Sequence, residues 1–128
     1  MIPEELQYTR EHEWIRRTGD RVTLGITHYA QDKLGDVVYV DLPEPGQRVQ
    51  AGDTVAEVES TKATAPVYTP VSGEVVEVNA ALGEHPEWVN EEPYGKGWMV
   101  VIRTSGADPE KELLDASAYR ALVAQEAL

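Results

Sequence analysis

Gly35-Asp36-Val37-Val38-Tyr39-Val40-Asp41-Leu42 is echoed later in the chain by Gly73-Glu74-Val75-Val76-Glu77-Val78-Asn79-Ala80. Each copy opens on glycine and an acidic residue, then alternates along a valine-rich run with the period of two expected of a strand. On that alternation Val38, Val40 and Leu42 share the inward face of one copy, and Val76, Val78 and Ala80 that of the other. A repeat of this kind predicts two similar β units related by a pseudo-twofold axis. Coincidence is the competing reading, because Gly-acid-Val-Val is a common run in β proteins. The segment between the copies joins the two halves, and it contains Lys62.

Outward from the echo, short strands alternate with turn residues. Tyr8 to Arg17 and Arg21 to Thr27 flank Thr18-Gly19-Asp20 and read as a hairpin, with Val22, Leu24 and Ile26 on one face. His28 to Leu34 reads as one or two helical turns stopped by Gly35. Asp36 to Leu42 is a strand ended by Pro43-Glu44-Pro45-Gly46. Val49 to Glu59 holds a turn at Ala51-Gly52-Asp53 and then a strand; Ala65 to Val71 and Glu74 to Ala80 follow, separated by Ser72-Gly73. Residues 83–97 read as an extended loop anchored by Trp88 and Val89, and Trp98 to Arg103 as a strand covered on both faces. The period then changes. Asp108-Pro109 opens a helix with a capping carboxylate and proline at its first position, and Asp115 caps a second that carries Tyr119, Leu122 and Val123 as an apolar stripe. The expectation is a mainly β protein with short helices and a C-terminal helical segment: a single domain over 1–128, its core at about 20–104 and a helical cover at about 108–127.

The 128 residues suit one compact domain. A formal charge of −12 argues against nucleic acid or an anionic membrane as partner, and serves either solubility or steering toward basic protein surfaces. With no cysteine there is no disulfide, thiol nucleophile or Cys-ligated metal. No stretch approaches the roughly 18 apolar residues of a membrane span, and Met1-Ile2-Pro3-Glu4-Glu5 lacks the features of a signal peptide, so a cytoplasmic location is expected.

The chemical centre is Ser60-Thr61-Lys62-Ala63-Thr64, a run of small residues between two strand-like stretches. Such a tip leaves the lysine open while the strands hold its backbone, which suits a covalent carrier. A deprotonated lysine amine attacks an activated carboxyl group and yields a stable neutral amide. Glu57 and Glu59 bring negative charge that would guide a modifying enzyme, or they form a solvated strand face. By position alone a turn lysine is usually a plain surface lysine.

Longer runs add to that reading. Val58-Glu59-Ser60-Thr61-Lys62-Ala63-Thr64, followed by Val67-Tyr68-Thr69-Pro70-Val71-Ser72-Gly73-Glu74-Val75-Val76-Glu77-Val78-Asn79, resembles the H proteins of the glycine cleavage system. Tyr8-Thr9-Arg10-Glu11-His12-Glu13-Trp14, Tyr29 through Pro43, Asn90 with Pro93-Tyr94, Gly97-Trp98-Met99 and Leu113-Leu114-Asp115-Ala116 with Tyr119 extend the resemblance nearly end to end. It implies a barrel-sandwich hybrid fold of the biotinyl/lipoyl-carrier type, with lipoate amide-linked to Lys62 and no catalytic residues. It also implies three partner enzymes. Glycine decarboxylase loads an aminomethyl group, aminomethyltransferase passes the carbon to tetrahydrofolate, and dihydrolipoamide dehydrogenase reoxidises the dithiol; a lipoyl-attaching enzyme acts before them. The redox sulfurs then belong to the cofactor, which reconciles thiol chemistry with a cysteine-free chain. Glu13, Ile26, Lys33 and Thr61 become candidate contacts for the arm. One departure is Ala65-Pro66, where similar proteins commonly carry Ser-Asp, so a carboxylate contact with the loaded arm is missing there.

Other constellations carry less. His12, His28 and His85 have no metal-ligand spacing, and the serines form no nucleophile elbow. Glu11-His12-Glu13 imitates acid–base machinery, but alternating charges on a hairpin read as a wet face. Trp14, Trp88 and Trp98 are read as core and loop anchors, and Gly46, Gly52 and Gly73 as turn glycines. A biotinyl carrier, whose lysine typically has methionine neighbours, fits less well than a lipoyl carrier. A lipoyl domain of a 2-oxo acid dehydrogenase would be shorter and tethered by a flexible linker. An independent enzyme and an unmodified or lipoyl-relaying scaffold are the remaining alternatives.

Overall fold

The computed structural model describes residues 1–104 and 113–126. In chain order the elements are β1 (Gln7–Tyr8), β2 (Glu13–Thr18), β3 (Arg21–Ile26), α1 (His28–Leu34), β4 (Val37–Asp41), β5 (Arg48–Val49), β6 (Thr54–Ser60), β7 (Thr64–Tyr68), β8 (Gly73–Val78), a 3-10 turn (Ala80–Gly83), α2 (Trp88–Glu91), β9 (Val100–Thr104) and α3 (Ala116–Glu126). They build a six-stranded sheet in the order β1-β2-β3-β9-β8-β5 and a three-stranded sheet in the order β4-β6-β7, with antiparallel pairing throughout. This is the mainly β, two-sheet architecture the sequence leads one to expect.

The echo is visible in the pairing. β4 pairs with β6 and β6 with β7; β8 likewise pairs with β9 and β9 with β3. The register slips at the same place in each copy, between Val37 and Tyr39 and between Val75 and Glu77. Two residues of one strand face one of its partner at such a bulge, so the side-chain alternation jumps there. The expected inward set is corrected for that reason. Val37 and Val40 are buried while Val38 is 51 % exposed, and Val75 is fully buried while Val76 and Val78 are only partly so.

The main core joins Ile15, Val22, Leu24 and Ile102 of the large sheet to Val40, Val58 and Val67 of the small one. A second cluster of Leu6, Tyr8, Trp14, Ala116 and Tyr119 seats α3 against β1. Asp115 caps α3 through Ala118 N–H, at 2.8 Å, and Tyr8 and Leu114 exchange backbone hydrogen bonds. The helix expected at Asp108-Pro109 lies outside the described residues.

Three expectations need revision. The strand over Tyr8–Arg17 is broken by a turn at residues 9–12, in which His12 takes a φ of 75°. The loop at 83–97 contains the helical turn α2, with Val89 wholly buried and Trp88 stacked on His85 at 4.4 Å. Gly73 is a strand residue: a Cβ there would lie 2.1 Å from the Arg103 carbonyl oxygen. Close strand approach, not a turn conformation, requires that glycine.

Candidate functional site

Lys62 sits at the exposed tip between β6 and β7. Its turn is pinned from inside and from the flank. Inside, the buried Ser60 hydroxyl accepts the N–H groups of Lys62 at 3.1 Å and Ala63 at 3.0 Å, and Ser60 N–H donates to the Ala63 carbonyl. On the flank, Thr61 N–H donates to the Asp36 carbonyl at 3.1 Å. The backbone is thereby fixed while the four side chains from Thr61 to Thr64 remain exposed. Serine suits this position because its short hydroxyl satisfies turn donors that no strand can reach.

The α1–β4 junction forms the floor of the tip. Thr27 caps α1 by accepting the Ala30 N–H, and the helix ends at Gly35, whose φ of 88° favours glycine. The Lys62 side chain passes over that glycine, its Cε at ordinary contact distance from where a Cβ would stand. Asn90 of α2 holds the junction: its amide donates to the Gln31 side chain at 2.9 Å and the Gly35 carbonyl at 3.0 Å, and its oxygen accepts Val37 N–H.

The far end of β7 borders an open cleft of about 660 Å³ lined by Thr9, Glu11, Glu13, Gly52, Tyr68 and Pro70, among others. Thr64 to Tyr68 spans about 13 Å at strand rise. Glu13 is only 2 % exposed, so the wet-face reading of Glu11-His12-Glu13 fails at its third residue. One of its oxygens accepts the Thr9 hydroxyl and the other accepts Tyr68 N–H at 2.9 Å, linking β2 to the edge strand β7. Burial pushes the carboxyl up to about 7, and the negative charge of Glu11 adds to this, against the lowering effect of the Thr9 and Tyr68 hydrogen bonds.

A raised carboxyl has a stability consequence. Between the ordinary carboxylate range and about 7, the folded chain holds a proton that the unfolded chain has released, so stability falls as pH rises through that window. The loss amounts to about 3 kcal/mol. Glu13→Gln is expected to flatten that slope in urea unfolding measured from pH 4.5 to 8. An unchanged slope in the variant would remove Glu13 as its source.

The candidate arm contacts therefore fall into two places. Thr61 adjoins Lys62 at the tip, and Lys33 lies on α1, its ammonium 5.5 Å from the centre of the Tyr29 ring. Glu13 lines the cleft, and its cross-strand neighbour Ile26 is buried in the core. Glu57 and Glu59 lie on the exposed face of β6, opposite Asp41 and Tyr39. No group of three or more histidine, cysteine, aspartate or glutamate side chains suited to a metal occurs among the described residues.

Sequence reasoning quoted Ser60, Tyr68 and Asn90 within longer runs but gave none of them a role. Ser60 carries a local signal, a hydroxyl residue opening a tight turn. Asn90 carries none, because its partners are 53 to 59 residues away.

Fold and tip define a class: a two-sheet β protein that presents a lysine on a hairpin whose backbone is fixed. The chain matches the glycine cleavage H-protein family over residues 6–126. It is 50 % identical over 125 residues to the glycine cleavage system H protein of Anaeromyxobacter sp. (strain K), covering 98 % of each chain. It is 53 % identical over 126 residues to that of Cronobacter sakazakii, again covering 98 % of each. Its fold is similar to the crystal structure of a glycine cleavage system H protein from Mycobacterium marinum, with a TM-score of 0.86, 41 % identity, and coverage of 99 % of this chain and 100 % of that one. The chain belongs to the glycine cleavage H-protein family, whose members are carrier components rather than enzymes.

Proposed function

We propose that this chain is the lipoyl-carrying shuttle of a glycine cleavage system, with lipoate joined through an amide to Lys62. The observation that carries the reading is the tip itself. Lys62 is exposed between small residues, on a backbone held by Ser60 and Asp36, so an enzyme reaches the amine without unfolding a strand. Lipoate supplies the dithiol–disulfide couple and the sulfur on which an aminomethyl group travels. The protein supplies placement. β6 and β7 hold the attachment point, and the cleft borders the far end of β7, about 13 Å from Thr64 at strand rise. Glu13 is the acceptor in that cleft for a cationic amine, in place of the carboxylate missing at Ala65-Pro66. Thr61, Lys33 and Ile26 are the other candidate arm contacts: Thr61 adjoins Lys62, Lys33 lies on α1, and Ile26 pairs with Glu13 across β2 and β3.

The proposed partners are glycine decarboxylase, aminomethyltransferase, dihydrolipoamide dehydrogenase and the lipoyl-attaching enzyme, all meeting the chain in the cytoplasm. The carrier is one domain over 1–128; its β core starts earlier than about residue 20, since β1, β2 and the buried Ile15 belong to it, and α3 is the described part of the helical cover. Among the described residues no helix is long and apolar enough to cross a membrane. Intact-mass measurement on protein from its own host is the test: a lipoyl-sized increment is expected, localised to Lys62 by peptide mapping. A chain that stays unmodified beside an active lipoylation pathway would sink the proposal.

A further inference from the structure

His12 is the single non-glycine residue with a positive φ among the described residues. Histidine tolerates that region better than most side chains, but glycine would adopt it without strain. Its ring is held on three sides. Nδ1 lies 2.7 Å from the Tyr119 hydroxyl, Nε2 lies 2.9 Å from a Glu126 carboxylate oxygen, and the ring packs against Tyr29 at 4.8 Å. The Tyr119 hydroxyl also meets the Thr27 hydroxyl at 2.7 Å, and Thr27 N–H donates to the His12 carbonyl at 3.1 Å. A closed circuit results, running from the His12 ring through Tyr119 and Thr27 back to the His12 backbone.

One proton arrangement satisfies every member. With a neutral His12 ring, Nε2 carries the hydrogen, because the Glu126 carboxylate only accepts. Nδ1 then accepts from Tyr119, and the Thr27 hydroxyl is left to donate to Tyr119. The next residue along the chain is Glu13. The turn that carries His12 is closed by His12 N–H to the Thr9 carbonyl and Thr9 N–H to the Glu13 carbonyl, and Thr9 also binds the Glu13 carboxylate.

We infer that His12 is a positioning residue through which α3 holds the Thr9–Glu13 turn in its strained form and so aims Glu13 into the cleft along β7. The inference rests on the carrier reading only for what the cleft receives; the coupling itself is a property of the unmodified chain. Residues from β1, β2, α1 and α3 meet at this point, so a change in the seating of α3 reaches the cleft wall without touching it. Tyr119 bonds to His12, Thr27 and the Asp115 carbonyl, and to no atom of Glu13.

The test uses the full, unmodified chain, with the Glu13 carboxyl carbon followed by NMR titration in wild type, His12→Asn and Tyr119→Phe. Desolvation is the largest influence on Glu13, so a loosened turn admits water and moves its midpoint down toward the ordinary carboxylate range. A fall of about one unit is expected in His12→Asn, and a smaller fall in the same direction in Tyr119→Phe. Phenylalanine keeps the stacking on Tyr8, whose ring lies 4.6 Å away, so that variant stays folded and decides the matter alone if His12→Asn unfolds. A Glu13 midpoint unmoved in the folded variants overturns the inference, even if their melting temperatures fall. Lipoylation by intact mass is run beside it: an unmodified wild type would defeat the carrier reading and leave the coupling standing.

Discussion

Lys62→Arg is expected to abolish lipoylation and glycine-dependent carbon dioxide exchange while shifting the thermal midpoint by no more than about 1 °C. The two outcomes have separate causes. Arginine keeps a long cationic side chain, but its guanidinium stays protonated and does not form the amide. The turn that presents the residue is built from backbone donors: Lys62 N–H to the Ser60 hydroxyl, and Thr61 N–H to the Asp36 carbonyl. Neither depends on the side chain at position 62, which rests over Gly35 and is otherwise exposed. Exchange assayed with purified glycine decarboxylase measures the first outcome and calorimetry the second. Residual exchange above the no-carrier background would show that another residue carries the group, and a marked loss of stability would show that the lysine is part of the packing.

The sequence exposed the features set by local periodicity. The Thr18-Gly19-Asp20 hairpin, α1 with its Gly35 stop, the Ala51-Gly52-Asp53 turn and the Asp115 cap all rest on short-range chemistry, and each is found. The echo between residues 35–42 and 73–80 also marked real partners, because β4 and β8 have matching neighbours. What strict alternation could not show is the bulge that both copies share, since the slip depends on the partner strand and not on the run itself. The site divides along the same line. The exposed placement of Lys62 and its small neighbours between two strands was legible. The burial of Glu13 was not, because it comes from Thr9 on the same turn and from Tyr68, 55 residues away. Asn90 and the circuit around His12 were hidden for the same reason: they join groups far apart in the chain, with no repeating interval to betray them.

Gly73→Ala is expected to destabilise the fold by about 3 kcal/mol or more, a far larger effect than alanine for glycine usually has in a strand. The two glycines that open the echo do different work. Gly35 has a φ of 88° and its missing Cβ faces the Lys62 side chain at 3.6 Å, so alanine there would strain the backbone but find room. Gly73 is outside the positive-φ set, and its missing Cβ would stand 2.1 Å from the Arg103 carbonyl oxygen and 2.9 Å from the Ile102 side chain. A backbone oxygen does not rotate away, so β8 must separate from β9. Gly73 also pairs with Val49, so the same displacement disturbs β5 on the other side. Three strands of the large sheet are thus affected by one methyl group. Urea unfolding of Gly73→Ala and Gly35→Ala side by side tests the distinction. A loss below about 1 kcal/mol at position 73 would mean that the strands part without cost, and the close approach of β8 to β9 would no longer explain why a glycine stands there.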